Sequence, residues 1–392
     1  MNAPGAGGVP ASGRTVIISD CTLREGEQQP GIVFDLSAKV RIAERLAEIG
    51  ITRAELGTPA VSSGESASIA EIVRMGVIPE SIVVCRAMKR DVELAAECGV
   101  WGVVISSPVS PLQLEHKLHR SLAEVVAGAL EVHAYAHTLG LRTFASAYDT
   151  LRTPWRSLKR IYGAIAAAGH PEAVRVVDTV GIGTPDRVRR LVSRIRSDLG
   201  LPVEVHFHDD LGLAMANTVA AVRAGADSVS SSVAGVGERA GNIPTEEIII
   251  ALEVGFGIST GCALDRLGPA TRDIVAAMNL RLAPNKSIVG DNAFRHVAGL
   301  SVSGFLRDPL VAQPFAAELV GLTSKVELGK TSGRDGLEYR LRALGIDPGS
   351  IDVVSLLAAV KGRSEQLRQL ITDGELRRLA EEGAPVAREE VQ

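Results

Sequence analysis

The feature that most limits what this chain can fold into is an alternation, repeated eight times, of short β-branched apolar runs with longer helical patterns. The strand candidates are TVIISDC from Thr15, RAELG from Arg53, SIVVCRA from Ser81, WGVVISS from Trp101, RTFASAYD from Arg142, AVRVVDTVG from Ala173, PVEVHFHDD from Pro202 and DSVSSSVAGVG from Asp227. Between them lie helix-like segments such as Ser37 to Gly50, a long stretch around Leu112 to Gly140, Thr184 to Gly200 and Leu213 to Ala226. Several of these close on glycine, the residue that most easily adopts the left-handed turn ending a helix. Eight βα units in about 240 residues predict a TIM (β/α)8 barrel. An open doubly wound sheet usually has fewer strands and a GxGxxG turn after the first, and TVIISDC is not followed by one.

The rest of the chain divides around that barrel. We expect a flexible leader over 1–14, the catalytic barrel over 15–257, a linker and lid region over 258–335 and a small C-terminal helical subdomain over 336–392. Leu264 to Met278 has a helical pattern, whereas Arg281 to Lys330 reads as irregular. With 42 Lys+Arg against 46 Asp+Glu and only 3% aromatic residues, there is neither a basic footprint nor a set of stacking platforms, so nucleic acid is not an expected partner. No apolar run reaches the roughly 18 residues of a membrane span, and the leader has no signal-peptide pattern. Cys21, Cys85, Cys98 and Cys262 form no CxxC pair, which fits reduced, mostly buried thiols and a cytoplasmic location.

Active sites of TIM barrels lie at the C-terminal ends of the strands, which gives three polar clusters their weight. Asp20 to Gln28 ends the first strand with dense charge. His206 and His208, two residues apart at the end of the seventh strand, share one face. Gly235 to Asn242 follows the eighth strand, with glycines that permit close backbone approach and a carboxamide oxygen at Asn242. Two imidazoles, a carboxylate from Glu25 or Asp20, and Asn242 make a mixed nitrogen and oxygen set suited to Mg, Mn, Zn or Fe(II) with open positions. Arg24 beside Glu25 also has a plain reading, an ion pair at the barrel rim. His133 and His137, like His116 and His119, read as solvated helix faces, since HExxH is absent.

At these residues the sequence resembles the DRE-TIM metallolyases that condense acyl-CoA with 2-oxo acids, namely the homocitrate, isopropylmalate and citramalate synthases, with the homocitrate branch nearest. The matching segments are DCTLREGEQQPG, ELGTPA, DTVGIGTP, HFHDDLGLAMANT and GVGERAGNIPTEE, and more loosely GDNAFRHVAGLSVSG and ELVGLTSKVELGKTSGRDGL. The resemblance implies a divalent metal (Mg, Mn or Zn) on Glu25, His206 and His208 with Asn242 in or beside the shell, Arg24 stabilising the enolate oxygen, Thr179 on the acceptor carboxylate and Gln28 lining the pocket. It implies acetyl-CoA as co-substrate, a 2-oxo acid acceptor and a homodimer with an exchanged lid. The sequence departs from the family at Ser301, Ala312 and Thr331, where family motifs carry histidine, tyrosine and histidine, so His296 becomes the proton-transfer candidate. Tyr148 stands where the family has glutamate, and Arg152 is kept. We expect Arg152 to grip a second anion, making 2-oxoglutarate the default acceptor and a phosphonate analogue the alternative. A lyase running the reverse cleavage and a catalytically impaired binding or regulatory paralogue are the competing functions. Ending at Gln392, the chain is not expected to carry a C-terminal regulatory domain.

Overall fold

A computed structural model describes residues 13–169 and 171–382. The expected leader lies outside the described residues as far as residue 12, as do 383–392 of the expected C-terminal subdomain. Arg14, the last residue of that leader, is tied down: its guanidinium donates to the carbonyls of Val222 and Ala226, and its own carbonyl accepts from Ser259 N at 3.0 Å.

The eight strand candidates form a closed, all-parallel barrel. In order they are β1 Ile17–Asp20, β2 Arg53–Glu55, β3 Glu80–Arg86, β4 Gly102–Ser106, β5 Arg142–Ala147, β6 Ala173–Asp178, β7 Val203–Phe207 and β8 Ser228–Ser231. β8 pairs back onto β1 in the register Ile17↔Ser228 to Asp20↔Ser231, which leaves no open edge. The flanking helices start where the sequence supplies caps. Asp35 accepts from Ala38 N at 2.7 Å to open Leu36–Ile49, and Ser121 with Glu124 forms a reciprocal capping box at the start of Leu122–Thr138.

The barrel interior is divided. One sector is apolar, with Ile82, Val104, Phe144 and Ala173 packed together and Val84 and Trp101 against them. The other is charged and buried: Glu55, Arg175 and Glu204 stand on β2, β6 and β7 with at most 2% exposure. Arg53 joins the two sectors, its guanidinium lying 5.0 Å from the Phe144 ring centroid and 2.6 Å from Glu80 Oε2.

The compact unit built on the barrel continues to Leu282. The helix Leu264–Ala277, which the sequence places after Gly257, therefore counts with the barrel; it packs against Leu36–Ile49 and buries Leu267 and Ile274. The second unit, from Ala283, is more ordered than its composition suggests. Within the stretch expected to be irregular, β9 (Arg295–His296) pairs in parallel with β10 (Lys325–Val326), and Gly299–Arg307 is a helix. Its C-terminal helices Arg334–Ala343, Val353–Leu367 and Asp373–Glu382 bury Leu337, Leu341, Leu356, Val360 and Leu376 as a core of their own. No helix among the described residues is long and apolar enough to cross a membrane. The cysteines are free thiols, buried except for the half-buried Cys262.

One histidine departs from the sequence reading. His116, His119 and His137 are exposed, but His133 is buried, four residues after Ala129 on the stripe that also carries Val125, Val132 and Ala136. Burial, with a lesser contribution from His137, pushes its pKa down to about 3. An unfolded chain takes up this proton near pH 6.5 while the folded chain refuses it, so stability should fall as pH drops from about 6.5 toward 3, by up to about 1.4 kcal/mol per pH unit. Denaturant unfolding of His133→Leu should show a correspondingly flatter acid limb than the parent chain; parallel limbs would refute the assignment.

Candidate metal centre

The first cluster turns inward immediately after β1. Cys21 N donates to Ser231 O of β8 at 2.7 Å, and a single helical turn, Thr22–Glu25, follows. Val233 N donates to Thr22 Oγ1 at 2.8 Å, so the turn is pinned to the loop after β8. Glu25 is thereby carried under the barrel mouth with 1% exposure.

Glu25, His206 and His208 come together there, each offering a ligand atom within 4.8 Å of the others. His206 Nε2 lies 3.9 Å from Glu25 Oε2, and His208 Nε2 lies 3.6 Å from Glu25 Oε1. Of the two carboxylates left open by the sequence, Asp20 is otherwise engaged: Oδ1 accepts from Thr22 N at 2.8 Å and Oδ2 from Thr245 Oγ1 at 2.9 Å. Burial pushes the Asp20 carboxyl up to about 7 against those hydrogen bonds.

Burial, with the nearby guanidiniums of Arg24 and either Arg239 or Arg175, depresses both imidazoles, His208 to about 4 and His206 well below its ordinary value. Both rings are therefore neutral near pH 7, with the lone pairs that a cation needs. Asn242 Oδ1 is buried without a hydrogen-bond partner, an expensive state for a polar atom unless a ligand completes it. The Asn242 amide sits 3.2 Å from His206 Nε2. Gly237 makes room for this packing, since a Cβ there would stand 2.1 Å from Asn242 Oδ1. A carboxylate, two neutral imidazoles and a carboxamide oxygen fit a divalent cation.

Behind these groups is a layer that the sequence reading missed. Glu55 Oε2 faces Arg24 at 2.6 Å, Glu55 Oε1 faces Arg175 at 2.7 Å, and Arg175 also faces Glu204 at 2.5 Å. Burial alone would raise the Glu55 carboxyl, but Arg175 and Arg24 overcome it and hold the pKa at about 2. Ser230 Oγ donates to Glu55 Oε1 at 3.2 Å, which leaves it to accept from His206 Nδ1–H at 2.9 Å and so fixes the tautomer with its lone pair on Nε2. Arg239 is the second omission. It adopts a left-handed φ of 59°, grips Asp210 through Nε at 2.8 Å and Nη2 at 3.0 Å, and donates to Thr179 O at 2.7 Å. One guanidinium thus ties together the loops after β6, β7 and β8. The available signal was charge within apolar strand patterns, as in RAE, VRVV and VEVHF, and an arginine set among glycines.

A cavity of about 270 Å³ opens over the cluster, with Arg24, Gln28, Thr179 and both histidines in its wall. Arg24 also pairs with Glu25, as the plain reading of an ion pair at the rim expects. Thr179 Oγ1 accepts from Asp149 N at 3.0 Å, leaving its own proton for an incoming acceptor. Arg152 is outside the wall. Its Nε donates to Asp149 Oδ1 at 2.8 Å, because Asp149, only 1% exposed, needs that charge. The expected grip on a second anion is therefore not what this side chain does here. His296 belongs to the unit after the barrel, where its ring stacks on Phe305 and its Nε2 meets Gln313 Oε1 at 3.3 Å. Ser301 is exposed and Thr331 lines a separate depression within that same unit.

Residues 15–274 match the HMGL-like family model, and residues 288–380 match the homocitrate synthase post-HMGL domain-like model. A homocitrate synthase, AksA, of Methanopyrus kandleri is 38% identical over 92% of this chain and 90% of its own length. The (R)-citramalate synthase CimA of Methanocaldococcus jannaschii is 37% identical over 92% of this chain and 73% of its own, and a probable 2-isopropylmalate synthase of Ignicoccus hospitalis is 37% identical over 94% and 92%. Among solved structures, an HMG-CoA lyase from Bacillus subtilis superposes with a TM-score of 0.62 at 22% identity, covering 70% of this chain and 97% of that one.

The Ser230 bridge makes a checkable claim about ligand orientation. Ser230→Ala removes the acceptor that holds the His206 tautomer and should weaken Mn2+ binding by about 10- to 100-fold, measured by chelator competition, with little change in the unfolding midpoint of the metal-free chain. Unchanged metal affinity would show that His206 needs no such bridge.

Proposed function

This chain belongs to the DRE-TIM metallolyase family, with an HMGL-like barrel followed by a homocitrate synthase post-HMGL segment, and on that footing we propose that it condenses acetyl-CoA with a 2-oxo acid and releases CoA by thioester hydrolysis. The observation that carries the proposal is the convergence of Glu25, His206, His208 and the unpartnered Asn242 oxygen beneath Arg24 in one cavity. A divalent cation held by Glu25, His206 and His208, with Asn242 beside them, would supply Lewis acidity toward the acceptor's ketone.

The chain's own residues account for the remaining needs. Thr179 offers a hydroxyl proton to the acceptor carboxylate, and Gln28 borders the same space. Arg24, fixed between two glutamates, presents a guanidinium to the negative charge that grows on the thioester oxygen as the acyl methyl loses its proton. His296 is the only histidine beyond Leu282. With Nε2–H donated to Gln313, its Nδ1 keeps the lone pair that a general base requires. The carbanion attacks the ketone, and water then cleaves the thioester.

The acceptor is not chosen by similarity, since homocitrate, citramalate and isopropylmalate synthases stand at 38%, 37% and 37% identity. The lyase alternative draws on the HMGL-like barrel and on a shared fold at 22% identity that covers 70% of the chain, whereas the homocitrate synthase post-HMGL segment over residues 288–380 favours condensation.

Free-thiol release from acetyl-CoA, screened across 2-oxo acids, tests the function. Activity should require a divalent metal and be lost in His208→Ala. Arg24→Ala should lower kcat and kcat/KM together by about 10²- to 10³-fold, because its interaction is made chiefly with developing charge. Full activity of His208→Ala in the presence of a chelator would sink the metal role, and a change confined to the acceptor KM in Arg24→Ala would sink the role of the arginine. His296→Ala should cut turnover with the metal still bound, and undiminished turnover would remove it from proton transfer.

A further inference from the structure

The division of the barrel interior bears on what kind of acceptor the cavity admits. On its charged side every cation is already matched. Arg24 faces Glu25 and Glu55, and Arg175 faces Glu55 and Glu204. Arg152 is held by Asp149, and Arg239 by Asp210 and Glu238. Lys117, exposed and 4.8 Å from the Tyr148 ring centroid, is not in the wall. The rest of the wall is Val84 on β3, Val104 on β4 and Val177 on β6, with Tyr148 and the hydroxyls of Ser106 and Ser146 nearer the mouth. Val84 and Val104 pack into the cluster of Ile82 and Phe144, which holds them in place.

We propose that the acceptor is a 2-oxo acid whose only anionic group is the carboxylate beside the ketone, and whose short, uncharged side chain seats against Val84, Val104 and Val177. This rests on the condensing function proposed above and narrows it. A second carboxylate or a phosphonate would shed its water against three valines, with no unmatched cation in the wall and with Glu238 on the rim. A methyl, ethyl or isopropyl group gains from the same burial. Val84, Val104 and Val177 are then the specificity-determining residues, and the length of side chain they admit is set by their own bulk.

The test uses the Mn2+-loaded full chain in two arms. In the first, thiol release from acetyl-CoA is followed with pyruvate, 2-oxobutyrate, 2-oxoisovalerate and 2-oxoglutarate, and kcat/KM for the best aliphatic acid should exceed that for 2-oxoglutarate by at least about a hundredfold. In the second, calorimetry measures binding of the same acids without acetyl-CoA and should give the same order. Val104→Ala enlarges the seat and should move the optimum toward longer aliphatic chains while Mn2+ affinity stays constant. Equal or tighter binding of 2-oxoglutarate overturns the proposal, as does an acceptor order that Val104→Ala leaves untouched. Aliphatic acids that bind in the expected order without thiol release would uphold the seat and overturn the condensing function. Binding by none of the four acids overturns both.

Discussion

Glu55 is the group on which the barrel mouth depends. Fully buried, it is shared by Arg24, Arg175 and Ser230, and each of those partners has a second task. Arg24 stands beside the candidate cation ligands, Ser230 sets the tautomer of His206, and Arg175 extends the alternation of charge down to Glu204. A carboxylate in this position would be costly to bury alone. Two guanidiniums reverse that cost and hold it ionised, so the charge pattern is internally satisfied before any ligand arrives.

That satisfaction has a corollary for the cavity. The arginines in its wall, Arg24 and Arg175, are held by glutamates, so their positions are set before a ligand enters. The apolar sector is defined with equal firmness: Phe144 and Trp101 lie beneath a cationic cap, the Arg53 guanidinium, whose own charge is met by Glu80. The site is thus bounded by an electrostatic network on one side and by close packing on the other.

The barrel was legible because its strands are buried on both faces and read as short β-branched runs, with turns and helix caps between them. The convergence of Glu25, His206 and His208 was legible because HxH at a strand end and a glutamate after the first strand are local patterns. Choosing between Glu25 and Asp20 was not, since it depends on where Thr22 N and Thr245 Oγ1 lie. The pairing of Arg152 with Asp149 was hidden for a similar reason. Sequence displays a free guanidinium at the end of YDTLR, whereas the fold buries Asp149 three residues earlier and spends the charge there. His133 was misjudged because an i,i+4 pair of histidines looks polar until the helix is rotated against its neighbours. The order in the unit beyond the barrel comes from short strands and 3-10 turns that carry almost no periodic signal.

The closure of β8 onto β1 has a consequence for how the chain acquires its function. Glu25 is held in place by hydrogen bonds such as Val233 N to Thr22 Oγ1, between residues 211 apart in sequence. Its imidazole partners lie on β7, and Asn242 follows β8. No early fragment of a growing chain can therefore assemble this donor set; it comes into being when the last strand zips against the first, the contact of highest loop entropy in the barrel. The cluster of Glu25, His206, His208 and Asn242 is thus a product of barrel closure, and a nascent or misregistered barrel does not present it.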